Sequence, residues 1–355
     1  MTHDVLHTEI CDVLQIDYPV ISAGMGFVAR AELAAAVSNA GGLGVIGGAG
    51  FVPERLRLEI QRTRELTDKP FGVDLLLPVQ TTGEVLLPRP EAERPKPDPD
   101  ELIEDSSGEW ALDRTTGEPV RPEHLMQVVL EEAPPVFAAG LGNPGPWVQH
   151  LHDRGVVVMG LVGTARAAKK VADSGADIIV AQGTEAGGHT GRVATAALTP
   201  TVVETVKPKP VVAAGGITTG AGLAAALAMG AQGVWMGTRF VATYEAHAHV
   251  NYKNKIVEAT EDSTLITRSY SGKPLRVIRN TWTDEWEQRT DEILPFPKQF
   301  RHSAEVYVVA RRDGDTDRGS MPCGQGAGLI MELLGAADVV RRVVDEARAA
   351  LQRVT

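Results

Sequence analysis

The chain has 355 residues, 43% of them hydrophobic and 23% charged, which suits a globular protein with one large α/β domain and a smaller module. Its net charge of -11 argues against a basic nucleic-acid face or a surface for anionic membranes. Two cysteines far apart, Cys11 and Cys323, exclude a disulfide framework or zinc spacing, and with no basic-then-apolar leader and no apolar run of membrane-span length the expected compartment is the cytoplasm.

Residues 18–23 read as a short strand entering Gly24-Met25-Gly26. Residues 30–40 carry Leu33, Ala36, Val37 and Ala40 at helical spacing and stop at Gly41-Gly42. A strand over 43–46, an amphipathic helix over 54–66 and a strand over 70–77 follow. The alternation implies parallel βαβ units. It breaks over about 78–122, a Pro-rich acidic insert with Pro88, Pro90, Pro95, Pro97 and Pro99. An excursion this long is either a lid or a flexible segment. Leu86, Leu87 and Trp110 offer it apolar anchors on the rim, and residues 113–118 resemble a hairpin turn.

Alternation resumes with helices over 123–132, 146–153, 164–174, 199–206 and 220–229. Between them lie strands over 136–139, 156–159, 177–181, 210–214 and 233–236. About eight strand–helix units point to a closed (β/α)8 TIM barrel over residues 1–240, with an open doubly wound sheet as the alternative. Residues 241–322 are richer in aromatic and polar groups and read as a smaller, mainly helical second module capping the barrel mouth. There, Trp282 and Trp286 suit its core better than a substrate box. Residues 323–355 bring a final helix, from Leu329 to about Arg353, back to the barrel.

The strand over 177–181 opens into a loop with glycines at 183, 187, 188 and 191 and with Gln182, Glu185 and His189 among them. Parallel α/β proteins place chemistry at the carboxyl ends of their strands, and His189 is the side chain there suited to moving a proton near neutral pH. The last two strand ends carry Ala214-Gly215-Gly216 and Met236-Gly237-Thr238, where barrels bind phosphate through backbone N–H groups. Arg239 adds a charge beside them. No GxGxxG follows the first strand, so a dinucleotide-binding domain is not indicated. His247 and His249 lack a third ligand in register, and no metal site is expected. A flavin-free phosphate-binding lyase or isomerase barrel is the reading from a different class.

Gly24-Met25-Gly26, Ala40 to Gly44, Pro70 to Val73, Gln182 to His189, Ala213 to Gly216, Met236 to Phe240 and Gly324-Gln325-Gly326 occur in this order. Together they resemble the 2-nitropropane dioxygenase or nitronate monooxygenase-like family of FMN-dependent barrels, across nearly all the chain except the insert. The resemblance implies that Gly24, Met25 and Gly26 line a flavin ring. It implies that Gln182, Gly187 and Gly188 contact the flavin, that His189 stands at its reactive edge, and that Ala214, Gly215, Gly216, Met236, Gly237 and Thr238 hold the FMN phosphate. Asp74 stands where the family often has asparagine. A carboxylate there would oppose a reduced anionic ring, so it must be protonated, paired or turned away.

The implied activity is oxidation of alkyl nitronates with O2 as the partner. The alternatives are an NAD(P)H:quinone reductase or a flavin enzyme acting on unsaturated thioesters. Each would take a small-molecule substrate and act as a monomer or homodimer.

Overall fold

The computed structural model describes residues 5–77, 85–90 and 121–353. Its first helix, α1 (Glu9–Leu14), escapes the periodicity reading because six residues give under two turns. Then come β1 (Val20–Ser22), α2 (Ala31–Asn39), β2 (Gly44–Gly47), α3 (Pro53–Leu66) and β3 (Phe71–Leu76). After the insert follow α4 (Pro122–Glu132), β4 (Val136–Leu141), α5 (Gly145–His152), β5 (Val157–Val162), α6 (Ala165–Asp173) and β6 (Ile178–Gln182). A two-residue strand, β7 (Gly188–His189), precedes α7 (Thr195–Val206), β8 (Val211–Ala214), α8 (Gly220–Ala228), β9 (Gly233–Met236) and α9 (Thr238–Val241).

Eight parallel strands run in the order β1-β9-β8-β6-β5-β4-β3-β2. A parallel bridge between Ile21 and Leu43 joins the two ends. This is the (β/α)8 barrel, and the open sheet is excluded. Successive strand side chains point to opposite faces, and the burial follows that rule. Ala138, Val180, Val212 and Trp235 fill the barrel interior. Their neighbours Phe137, Ile179 and Val211 face one part of the helix layer, and Val234 and Met236 face the other.

Helix α7 starts four residues earlier than its sequence suggests, because Pro200 is carried inside it rather than opening it.

Residues 85–90 of the insert lie against α4. Val85 packs on the core, but Leu87 is 66% exposed and anchors nothing. Its carbonyl accepts from Gln127 Nε2 at 2.7 Å instead. Arg89 provides the attachment through Glu131, at 2.8 Å from its Nε. Glu131 also pairs with buried Arg57, which reaches Glu132 as well. Trp110 and residues 113–118 lie outside the described residues.

Beyond the barrel come α10 (Val250–Glu258), β10 (Thr264–Thr267), β11 (Leu275–Ile278) and α11 (Thr281–Glu287). The short helices α12 (Lys298–His302), α13 (Ala304–Tyr307) and α14 (Val309–Arg312) complete this part. A cluster of Tyr270, Leu275, Val277, Trp282 and Trp286 forms its core. The helices surround a sheet the sequence reading lacked: β10 pairs antiparallel with β11, and β11 with β7.

The final helix, α15 (Ala336–Gln352), begins seven residues later than expected. The apolar run before it is not α-helical; a short 3-10 helix ends at Leu329. Ile330 is buried while Leu329 and Met331 are exposed, and Leu334 bridges to Thr243.

Candidate active site

The carboxyl ends of the barrel strands and residues of the second part enclose one cavity of about 380 Å3. After β1 it is lined by Gly24, Met25 and Gly26, and from β3 by Asp74. Gln182, Gly187, Gly188 and His189 line it after β6, Ala214, Gly215 and Gly216 after β8, and Gly237 and Thr238 after β9. Sequence-remote turns therefore meet at one rim. Met236 is the exception. Strand parity gives the barrel interior to Trp235, which lines the cavity, and turns Met236 into the helix layer.

The two turns after β8 and β9 are built for close approach. Gly215 and Gly216 take φ values of +107° and +71°, a backbone region that favours glycine. The backbone N–H groups of Gly215, Gly216, Gly237 and Thr238 find no acceptor among the described residues. A Cβ at Gly237 would meet nothing closer than 3.7 Å, so packing of the chain itself does not require glycine there.

The hydroxyl of Thr238 is engaged, accepting from the Gly324 N–H at 2.9 Å. Arg239 turns away from the cavity: its guanidinium donates to the carbonyls of Ala242 and Glu332 at 2.7 and 2.8 Å. Burial and nearby Arg342 lower its pKa to about 10.

His189 is held by three elements. As part of β7 it pairs with Leu275 of β11. Gln182 donates from Nε2 to its carbonyl at 2.8 Å, and its own Nε2 meets Ser271 Oγ at 2.9 Å. The ring is open, but to the cavity. Enclosure by protein, together with the charge of Lys273, lowers its pKa to about 4, so the imidazole is neutral at pH 7. Glu185 does not face solvent idly. Its carboxylate accepts from the Thr195 backbone N–H at 3.0–3.1 Å, and the one hydroxyl proton of Thr195 is shared between that carboxylate at 2.9 Å and the Gly215 carbonyl at 3.0 Å. Glu185 thus ties the histidine loop to the glycine turn.

Asp74 is 6% exposed, with Gly24 and Gly140 packed against it. Its Oδ1 has no hydrogen-bond partner among the described residues. Burial drives its pKa well above the usual carboxylate value, against one hydrogen bond from the Gly140 backbone. Of the three routes open to this residue, burial with no cation partner among the described residues favours the protonated form.

The second part supplies residues that no motif marked: Ser271, Lys273, Phe296, Phe300, Tyr307 and Arg311 all reach the cavity. Lys273 lies 4.1 Å from the Phe296 ring centre, and burial lowers its pKa. Cys323 is fully buried and its thiol is pushed up to about 12, chiefly by burial, which removes it as a nucleophile. Among the described residues no three His, Cys, Asp or Glu side chains are placed to hold a metal, and no helix is long and apolar enough to cross a membrane.

Comparison with known proteins fits this architecture. A profile of the nitronate monooxygenase family matches residues 7–346. A Staphylococcus saprophyticus protein named "Probable nitronate monooxygenase" is 31% identical over 98% of this chain and 99% of its own. The structure of FabK from Thermotoga maritima superposes with a TM-score of 0.82 at 34% identity, covering 99% of both chains. That of nitroalkane oxidase from Streptomyces ansochromogenes gives 0.79 at 27%, covering 98% of this chain and 99% of the other. An eight-stranded barrel whose glycine turns and histidine share one rim, matched along almost its whole length by this profile, is an oxidoreductase belonging to the nitronate monooxygenase family.

Proposed function

We propose that the chain binds FMN in this cavity and oxidises alkyl nitronates with dioxygen. The observation that carries the reading is the set of unpaired backbone N–H groups at Gly215, Gly216, Gly237 and Thr238, converging from two adjacent strand ends. Such donors suit a phosphate. Gly24, Met25 and Gly26 would flank the ring from β1, and Gly187 and Gly188 from the β6 loop. Asp74 fits the same group: protonated, it presents a hydrogen-bond donor to a ring edge and no opposing charge. Bound FMN supplies electron acceptance and the reaction with dioxygen.

The remaining roles belong to the chain's own side chains. With the Ser271 hydroxyl donating to the Lys273 carbonyl at 3.2 Å, the imidazole donates from Nε2 and carries its lone pair at Nδ1. Nδ1 of neutral His189 can then receive a proton from the carbon next to the nitro group of a neutral nitroalkane, which leaves the nitronate in the cavity; a nitronate supplied as such needs no proton transfer there. Lys273 provides a counter-charge for a nitronate, which is itself an anion. The aromatic and aliphatic walls keep water from the reacting carbon.

The test is anaerobic mixing of the yellow enzyme with propyl-2-nitronate, with bleaching as the expected result. His189→Asn should keep its FMN and bleach about a hundredfold or more slowly with neutral 2-nitropropane, whose carbon must first give up a proton, while keeping most of its rate with the nitronate. Bleaching by NADPH with no response to nitronates would replace this reading with the reductase. A colourless preparation that takes up no FMN would favour the flavin-free lyase or isomerase. The reductase acting on larger substrates has one observation in its favour: besides His189 the cavity is lined by Phe296, Phe300 and Leu125, more apolar wall than a propyl group needs.

A further inference from the structure

We propose that Arg311 anchors an anionic group of the substrate, a carboxylate or a phosphate, on the β1–β2 side of the cavity mouth. The proposal rests on the cavity being the substrate site. Arg311 ends α13–α14, lines the cavity and is 9% exposed. It donates to two backbone carbonyls, Gly26 at 3.4 Å and Tyr307 at 3.2 Å. Its Nε has no acceptor, and no carboxylate pairs with it, among the described residues. A guanidinium this buried is normally met by an anion, because desolvating an unpaired charge is costly. The rings of Tyr307 and Phe27, at 4.8 and 5.7 Å, offset only part of that cost.

The neighbourhood carries the same sign. Phe27 has φ +73°, rare for a bulky residue and worth explaining by function. Arg30 stands 5.2 Å from its ring, and His247 lies against it at 5.4 Å. Burial and then the charges of Arg30 and Arg55 lower the His247 pKa to about 4. Glu59 and Glu32 are the nearby carboxylates, and they are engaged by Arg55 and Arg62.

Lys273 and His189 belong to the β6 side, with β8 and β9 between them and β1 around the barrel. The lining near both cations is aromatic: Phe296 lies 4.1 Å from Lys273, and Tyr307 lies 5.0 Å from Phe300 and 4.8 Å from Arg311. The structure thus describes a substrate with an apolar body and an anionic end.

Calorimetric titration of the FMN-loaded enzyme with hexanoate, hexyl phosphate and 1-hexanol tests this. At least one anion should bind about tenfold tighter than the alcohol, and the tighter anion identifies the group. Arg311→Met should reduce that preference to about threefold or less. Arg311→Lys should keep most of it, and Lys273→Met should leave it in place. No preference in the wild type, or a preference lost in Lys273→Met and kept in Arg311→Met, overturns the assignment. If Arg311→Met fails to fold, the wild-type and Lys273→Met arms still decide. Nitronate turnover in the same preparations separates this outcome from the reading of the reaction: an intact anion preference without turnover would remove the nitronate and keep the anchor.

Discussion

Replacing Asp74 with asparagine should stabilise the protein, and increasingly so as the pH rises. Asp74 lies buried among Gly24, Gly140 and the barrel wall, with no cation against it among the described residues. Burial raises its folded pKa well above the 3.8 of an unperturbed aspartate. Between that value and the folded pKa the unfolded chain is ionised and the folded chain is not. The unfolded state then binds fewer protons, so stability falls with rising pH at up to about 1.4 kcal/mol per unit. The decline stops where the folded carboxyl ionises. Asparagine has the same shape and an acceptor for the Gly140 N–H, but no titration. The stability difference between variant and parent should therefore widen by up to about 1.4 kcal/mol for each pH unit above about 4, then level off. Urea unfolding of the FMN-free protein from pH 4.5 to 7.5 measures it directly. A difference that stays constant across that range would refute the assignment of Asp74 as a buried protonated acid.

Two glycines with contrasting surroundings should separate folding from binding. Gly237→Ala has room against the protein, 3.7 Å from its nearest neighbours, so its Tm should shift by about 2 °C or less while FMN affinity, read by fluorescence titration, falls about tenfold or more. Gly24→Ala would put a Cβ 2.2 Å from the Asp74 Cβ and should cost about 1–3 kcal/mol of stability; the opposite ranking would undo the placement of the phosphate turns. Glu131→Gln should destabilise by about 1–3 kcal/mol, because it removes the charge of a buried carboxylate shared by Arg57 and Arg89 while Arg57 keeps Glu132. A loss under about 1 kcal/mol in the same urea assay would show that desolvation cancels the pair.

The barrel was legible because its strands are buried on both faces and their ends carry glycine. Those signals are local, and the order of turns such as Gly215-Gly216 and Gly237 along the chain maps directly onto adjacent strands. Met236 shows the limit of reading a strand end without its parity: a shift of one residue exchanges cavity for core. Arg239 shows another, since a charge beside a phosphate turn can be drawn off by buried carbonyls. The part after residue 241 resisted reading for a different reason. Before α15 its α-helices are four to nine residues long, and β7 has two residues, too few for any period to show. Ser271, Lys273 and Arg311 reach the cavity through that irregular segment, so no spacing in the sequence marks them.

The pairing of β7 with β11 has a consequence for engineering. The ligand cradle is carried by the barrel, but the angle of the imidazole is set by a hairpin encoded some eighty residues downstream, through Leu275 and Ser271. Grafting the hairpin of a relative onto this scaffold would thus re-aim the His189 ring without touching the glycine turns after β8 and β9. A shortened chain ending at residue 241 would lose more than that hairpin, because Val339, Val340, Val343 and Val344 of α15 share a buried cluster with Val20 of β1 and Val234 of β9.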